Sequence, residues 1–204
     1  MKFKAFIVIS LILAFSTKSF AQLGIGLKAG LNFANVTNAS SINSSNAVGF
    51  LVGAFFAPPT NGVLGSRTEF IFSREGYDYS TNSTTGSVRL NYLMLPQLLC
   101  INITKFVQIQ AGAEIAYLLS ATADSSSGNS VAAALSYFNR FDYGLAGGLE
   151  IHPFKGIMVN ARYTYSLGNM YKDVTSSPGG PPPSFIPKID AKKNVIQLSA
   201  GYIF

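Results

Sequence analysis

From Leu23 onward, apolar residues alternate with small or polar ones at a period of two. One set is Leu23, Ile25, Leu27, Ala29, Leu31 and Phe33; the other is Gly24, Gly26, Lys28, Gly30, Asn32 and Ala34. Successive side chains of a strand point to opposite faces, so the pattern predicts a strand with one apolar and one polar side. The run is about twelve residues, well beyond the ~5–6 of a soluble strand and enough to cross a bilayer at a tilt. The same alternation returns over 107–117, 141–151, 157–167 and 195–204. Three more strands are expected near 47–57, 63–74 and 87–101 from length and β-rich composition, although the first and third carry apolar residues on both faces and Pro96 interrupts the third.

The connections between these runs alternate in length. Segments 58–62, 102–105 and 152–156 are short, whereas 36–46, 75–86, 120–139 and 168–193 are long and rich in Ser, Thr, Asn and Gly. Short periplasmic turns alternating with long outer loops are the mark of outer-membrane barrels. The expected fold is therefore all-β: a closed, eight-stranded, antiparallel up-and-down transmembrane barrel. In this order the outward aromatics fall toward two ends. Phe33, Phe50, Phe70, Phe72, Tyr117, Phe141, Tyr143, Tyr163 and Tyr165 gather at the long-loop end, and Phe56, Phe106, Tyr202 and Phe204 at the short-turn end, as two interfacial girdles require. A secreted soluble barrel of the lipocalin kind is the alternative, and it would invert the alternation, with apolar side chains inside and charges outside.

The amino terminus reads as a secretory signal over residues 1–21. Lys2 and Lys4 form a positive head, Ala5 to Phe15 an apolar run, and Ser19-Phe20-Ala21 a cleavage site that would leave Gln22 first. The remainder, 22–204, is a single barrel domain. The apolar run is too short for a comfortable membrane helix. Removing Lys2, Lys4 and Lys18 from the 15 basic residues leaves 12 against 9 acidic ones, about +3 and scattered, which gives no footprint for nucleic acid. A lone cysteine, Cys100, and a lone histidine, His152, exclude an internal disulfide and a structural zinc site, and no cofactor is expected.

The closing run Asn194-Val195-Ile196-Gln197-Leu198-Ser199-Ala200-Gly201-Tyr202-Ile203-Phe204 resembles the last strand of outer-membrane barrels. The resemblance implies that Tyr202 and Phe204 form the signal read by the barrel-insertion machinery. Gly26-Leu27-Lys28-Ala29-Gly30-Leu31-Asn32, Glu69-Phe70-Ile71-Phe72-Ser73-Arg74-Glu75-Gly76, Asn91-Tyr92-Leu93-Met94-Leu95-Pro96 and Phe141-Asp142-Tyr143-Gly144-Leu145 together resemble the PorT-like outer-membrane β-barrel family common in Bacteroidetes. That family usually shows Pro-Glu-Leu where this chain has Thr68-Glu69-Phe70. Membership would imply an outer-membrane barrel without fixing an activity, its named members being linked to secretion.

An eight-stranded barrel is just wide enough for side chains to fill it. Strand parity places Lys28, Arg67, Arg89 and Arg162 inside with Glu69, Glu114, Asp142 and Glu150, four charges of each sign. A buried charge needs a partner, so the expectation is a salt-bridge network that plugs the lumen. A narrow proton or ion path lined by the same residues is the alternative. Catalysis finds little footing. No Gly-x-Ser-x-Gly motif occurs, His152 is expected in a solvated periplasmic turn, and Asp142 and Glu150 are eight residues apart on one strand, roughly 26 Å. The function read from the chain is thus that of a structural or interaction protein in contact with outer-membrane lipid and the insertion machinery, with an envelope or secretion partner held by loop residues Tyr77, Tyr79, Phe138, Tyr171 and Phe185. A narrow channel or small porin stands second, and a lipid-modifying enzyme third.

Overall fold

The computed structural model describes residues 24–37, 43–60, 62–80, 85–125, 134–172 and 191–204. The expected signal segment and Phe185 lie outside them. Eight strands follow in order: β1 (Ile25–Thr37), β2 (Asn43–Phe56), β3 (Leu64–Ser80), β4 (Thr85–Asn102), β5 (Val107–Ser125), β6 (Phe141–Phe154), β7 (Ile157–Ser166) and β8 (Lys192–Ile203). Each pairs antiparallel with its neighbours in sequence, and β1 closes on β8 from Gly26–Ile203 to Thr37–Lys192. Closure leaves no free sheet edge, which is what lets strands sit in hydrocarbon with every backbone group satisfied.

The alternation seen along the chain becomes an inside and an outside. Leu27, Leu31, Val52, Leu99, Leu145, Leu149, Ile196 and Leu198 all point away from the barrel and are about half exposed, between 48% and 56%. Their neighbours Lys28, Glu69, Gln110, Arg162 and Gln197 are 3% exposed or less. A soluble protein rarely shows contiguous apolar patches of more than a few hundred Å². The distribution is that of a barrel solvated by lipid, and the lipocalin-like alternative falls with it.

Three strands outrun the membrane. β3, β4 and β5 have 17, 18 and 19 residues, against the ~9–11 that a tilted transmembrane strand needs. The expected long connection 75–86 is thus mostly strand: β3 continues to Ser80, and Tyr77 to Ser80 pair with Val88 to Thr85 on β4. Likewise the expected loop 120–139 begins as strand through Ser125 and later forms a short 3₁₀ turn, Ala134–Tyr137. The reason lies on the inner face. Tyr77, Tyr79, Val88, Leu90, Leu118, Ala121 and Ala123 carry the inner face past the bilayer, across one bulge between Leu118 and Ser120, and bury one another.

This also explains the strands with apolar residues on both faces. On β4 the inward set is Val88, Leu90, Tyr92, Met94, Pro96, Leu98 and Cys100, all buried, while Leu95 and Leu99 face lipid. Pro96 does not interrupt the strand. It pairs with Glu114 on β5, but the ladder to β3 skips Glu69 and Phe70 between Thr68–Gln97 and Ile71–Met94. A residue with no N–H costs the sheet locally and leaves the strand continuous. At the short-turn end the β6–β7 connection is only Lys155–Gly156, where Gly156 takes φ 82°, a left-handed conformation that glycine adopts without penalty.

Candidate functional site

The lumen has two storeys of different chemistry. The lower one, toward the short turns, is built by inward positions of β1, β3, β5, β6 and β7. β3 contributes Arg67 and Glu69, two residues apart and so on the same face. Glu69 accepts from Lys28 Nζ at 2.9 Å and from both terminal nitrogens of Arg162, at 2.7 and 2.8 Å. Arg67 reaches across the barrel to Glu150 on β6 with a two-pronged contact, Nη1–Oε2 at 2.5 Å and Nη2–Oε1 at 2.6 Å. The two clusters join, because Arg67 Nη1 also lies 3.8 Å from Glu69 Oε1.

Gln110 fills the remaining gap. Its Nε2 donates to Glu150 Oε2 at 3.1 Å, and its Oε1 accepts from Arg162 at 2.9 Å and from Asn160 at 3.1 Å. The Arg67 guanidinium also lies over the Phe55 ring, 4.6 Å from its centre. Planar guanidinium groups paired fork-to-fork with carboxylates give short, directional contacts, which suits a lattice that must fill a fixed volume. Three cations face two carboxylates here, so this storey carries a net positive charge.

The upper storey is aromatic and apolar, with one buried ion cluster beneath it. Lys193 on β8 lies 2.8 Å from Glu75 Oε2 and 3.4 Å from Asp142 Oδ2, and its ammonium sits 3.9 Å from the centre of the Tyr92 ring. Glu75 in turn accepts from Ser73 Oγ at 2.8 Å, and Ser73 from Asn32 at 2.8 Å. Above these, Phe138 and Tyr171 stack with ring centres 4.9 Å apart, and their backbones form a β-bridge. The Tyr171 hydroxyl meets that of Tyr77. Burial, reinforced by Tyr77, raises the Tyr171 phenol well above its ordinary range, so it stays a neutral hydroxyl.

Of the eight interior charges expected, Lys28, Arg67, Glu69, Glu150 and Arg162 come together in one lattice, and Asp142 joins the upper ion cluster. Glu114 is inward and 5% exposed, but its Oε2 has no hydrogen-bond partner among the described residues. Arg89 is a correction. It points outward on the extension of β4, where Nη1 holds Asp78 Oδ1 at 2.9 Å with both side chains partly exposed. The parity that puts Arg89 inside is off by one along the strand: even-numbered positions from Val88 to Cys100 take the inner face.

His152 is corrected as well. It is not a freely solvated turn residue but the last inward position of β6, with Nε2 3.0 Å from Glu150 Oε1 and its side chain 25% exposed. The four described aromatics expected to serve partners, Tyr77, Tyr79, Phe138 and Tyr171, are buried in the upper storey rather than displayed. Glu75 and Lys193 were not foreseen. Both lie on inward parity, two steps beyond Ser73 and Val195, but outside the strand limits drawn from the sequence.

Below the charged lattice the barrel mouth opens into a cup of about 790 Å³, walled by the three short turns. His152, Asn102 and Gln108 line its inner side, and Lys105 and Lys155 stand on two of the turns. Asn102 accepts from Gln108 at 2.8 Å and donates to the Gly62 carbonyl at 3.2 Å, tying the turns together. Among the described residues no group of three or more His, Cys, Asp or Glu side chains is arranged to hold a metal.

The sequence profile of the family described as "Outer membrane protein beta-barrel domain" matches residues 17–172. Among solved structures, the chain is similar to Ail, the attachment invasion locus protein of Yersinia pestis, in a complex with the heparin analogue sucrose octasulfate. The likeness has 20% identity and a TM-score of 0.50, and covers 89% of this chain and 99% of that one. It is also similar to Neisserial surface protein A, with 14% identity and a TM-score of 0.56, over 89% of this chain and 97% of that one. At such identities the likeness concerns the fold. Among functionally curated proteins no significant match is found.

Proposed function

Because the chain belongs to the outer membrane protein beta-barrel domain family, its place is the outer membrane, and we propose that it serves there as a sealed barrel with a structural or interaction role. The observation that carries this reading is the lower charge lattice. Arg67–Glu150 and Glu69–Arg162 span the lumen with side chains that are at most 2% exposed. An eight-stranded barrel offers little more than side-chain volume inside, and here that volume holds interlocked guanidinium and carboxylate groups. Opening a continuous water path would require breaking buried pairs, which costs several kcal/mol each (~3–5).

The same reading takes residues 1–21 as an export signal and Tyr202 with Phe204 as the mark for the insertion machinery. The two rings pack edge to face at 5.4 Å at the short-turn end of β8. It takes the chain as PorT-like, in keeping with the ordered motifs on β1, β3, β4 and β6, and its partner as an envelope or secretion protein. It takes the barrel as non-catalytic, since the single histidine gives Nε2 to Glu150 and serves the lattice.

The second reading, a narrow cation path, draws on Glu114, a buried carboxylate with an unpartnered oxygen. Recording in planar bilayers separates the two. The sealed barrel gives no steady conductance. A steady conductance that falls in Glu114→Gln would replace it with the channel.

A further inference from the structure

The cup at the short-turn mouth is left unused by the sealed-lumen reading. Its volume, about 790 Å³, lies within the ~300–1,000 Å³ of clefts that hold ligands. Two of its lining residues touch the charge lattice above: Gln108 accepts from Gln110 at 2.8 Å, and His152 Nε2 lies 3.0 Å from Glu150. Among the described residues its lining is one-signed: Lys105 and Lys155 are present and no carboxylate is. Neither lysine is ion-paired among the described residues. The storey directly above adds net positive charge through Lys28, Arg67 and Arg162 against Glu69 and Glu150.

The walls offer more than charge. Asn102, Gln108 and His152 present polar groups on the inner side. His152 gives Nε2 to Glu150, which leaves Nδ1 as the ring nitrogen not engaged by the lattice. Phe106, 62% exposed, and Phe154, 71% exposed, flank the recess with apolar surface. The turns themselves are held in shape. Thr104 Oγ1 accepts from the backbone N–H groups of Phe106 and Val107 at 3.1 and 3.0 Å, so Lys105 sits on a fixed hairpin.

We propose that this recess binds an acidic segment of a periplasmic polypeptide. Carboxylate side chains would meet Lys105 and Lys155, its amides the Asn102 and Gln108 side chains, and an apolar residue the Phe106–Phe154 wall. A recess lined by one sign of charge concentrates anionic partners. The mixture of amide groups, cations and aromatic surface fits a peptide better than a lipid phosphate, which would need only the lysines. The inference names the kind of partner for the interaction role proposed above and rests on that role.

The test uses the full barrel in zwitterionic nanodiscs and a fluorescein-labelled hexapeptide Glu-Asp-Phe-Glu-Asp-Phe, followed by anisotropy, with the sequence Lys-Lys-Phe-Lys-Lys-Phe as control. The acidic peptide should bind saturably and the basic one should not. The double variant Lys105→Glu with Lys155→Glu should weaken binding by about tenfold or more, and Arg140→Gln, just before β6 at the long-loop end where Arg140 donates to the Tyr117 hydroxyl at 3.0 Å, should leave it unchanged. Heat-modifiable gel mobility shows that each variant is a folded barrel. Absence of saturable binding, an affinity untouched by the double variant, or binding that inorganic phosphate displaces as well as free acidic peptide does would each overturn the site. A conducting barrel would end the sealed-lumen reading without touching this assay, and a sealed barrel that ignores the peptide would end the site alone.

Discussion

Arg67 and Glu150 sit on strands at opposite sides of the lumen and meet through two contacts, 2.5 and 2.6 Å long. Removing one partner leaves the other buried without its counter-charge. Arg67→Ala and Glu150→Ala should each cost about 3–5 kcal/mol. The paired replacement Arg67→Met with Glu150→Leu should recover most of that loss, because no charge is then stranded. Urea titration of the barrel in detergent, read by heat-modifiable gel mobility and β-type circular dichroism, measures all three. Equal losses in the single and double variants would show that the pair contributes through shape rather than charge.

Glu69 and Glu114 are both buried carboxylates, but their surroundings differ. Glu69 receives Lys28 and both terminal nitrogens of Arg162, whereas Glu114 Oε2 has no hydrogen-bond partner among the described residues. Glu69→Gln should therefore destabilise the barrel by about 2–5 kcal/mol, since two cations lose their counter-charge and one acceptor oxygen becomes a donor. Glu114→Gln should be neutral or slightly stabilising, because it removes a buried charge with no direct partner. The same urea titration ranks them, and a larger loss at Glu114 would contradict the assignment of the lattice.

The fold was legible because lipid reverses the usual inside-out pattern along every strand, and connection length reports which end is which. The same parity was enough to place Lys28, Arg67, Glu69, Glu150 and Arg162 in one interior. It failed where the strands continue past the bilayer. Beyond Arg74 the outer face stops being apolar, so the alternation that marks a membrane strand fades although pairing goes on to Ser80. Tyr77, Tyr79, Tyr171 and Phe138 then looked like loop aromatics, and Glu75 and Lys193 fell outside the drawn limits. The contact of Phe138 with Tyr171 joins two connections far apart in sequence, and no local pattern announces it.

The upper aromatic storey makes its own prediction. Phe138 is 0% exposed and packs on Tyr171, whose hydroxyl meets that of Tyr77. Phe138→Ala should remove about 3–5 kcal/mol of packing from this cap. The loss should be local, because the charged lattice below shares no side chain with it. Hydrogen exchange should quicken at Tyr77–Tyr79, Val88–Leu90 and Leu118–Ala123, while amides around Arg67, Gln110 and Arg162 keep their protection. Uniform acceleration over the whole barrel would show that the two storeys open together.

The outer face decides whether lipid is the solvent, and the cost of a charge there should depend on depth. Leu149 lies near the middle of β6, paired with Ile109 and Ala161 and 56% exposed, whereas Phe154 closes the strand at the short-turn rim. In hydrocarbon an arginine has no water and no partner, so Leu149→Arg should destabilise the folded barrel by about 2–4 kcal/mol, and Phe154→Arg by only ~0–1 beyond the loss of its ring contacts. In plain aqueous solvent both positions would tolerate arginine alike, because an exposed leucine contributes little there. Folding titrations into phospholipid vesicles provide the comparison. If the two variants shifted stability equally, the half-exposed apolar band of β6 would face water or a protein partner, and the membrane orientation of the barrel would have to be redrawn.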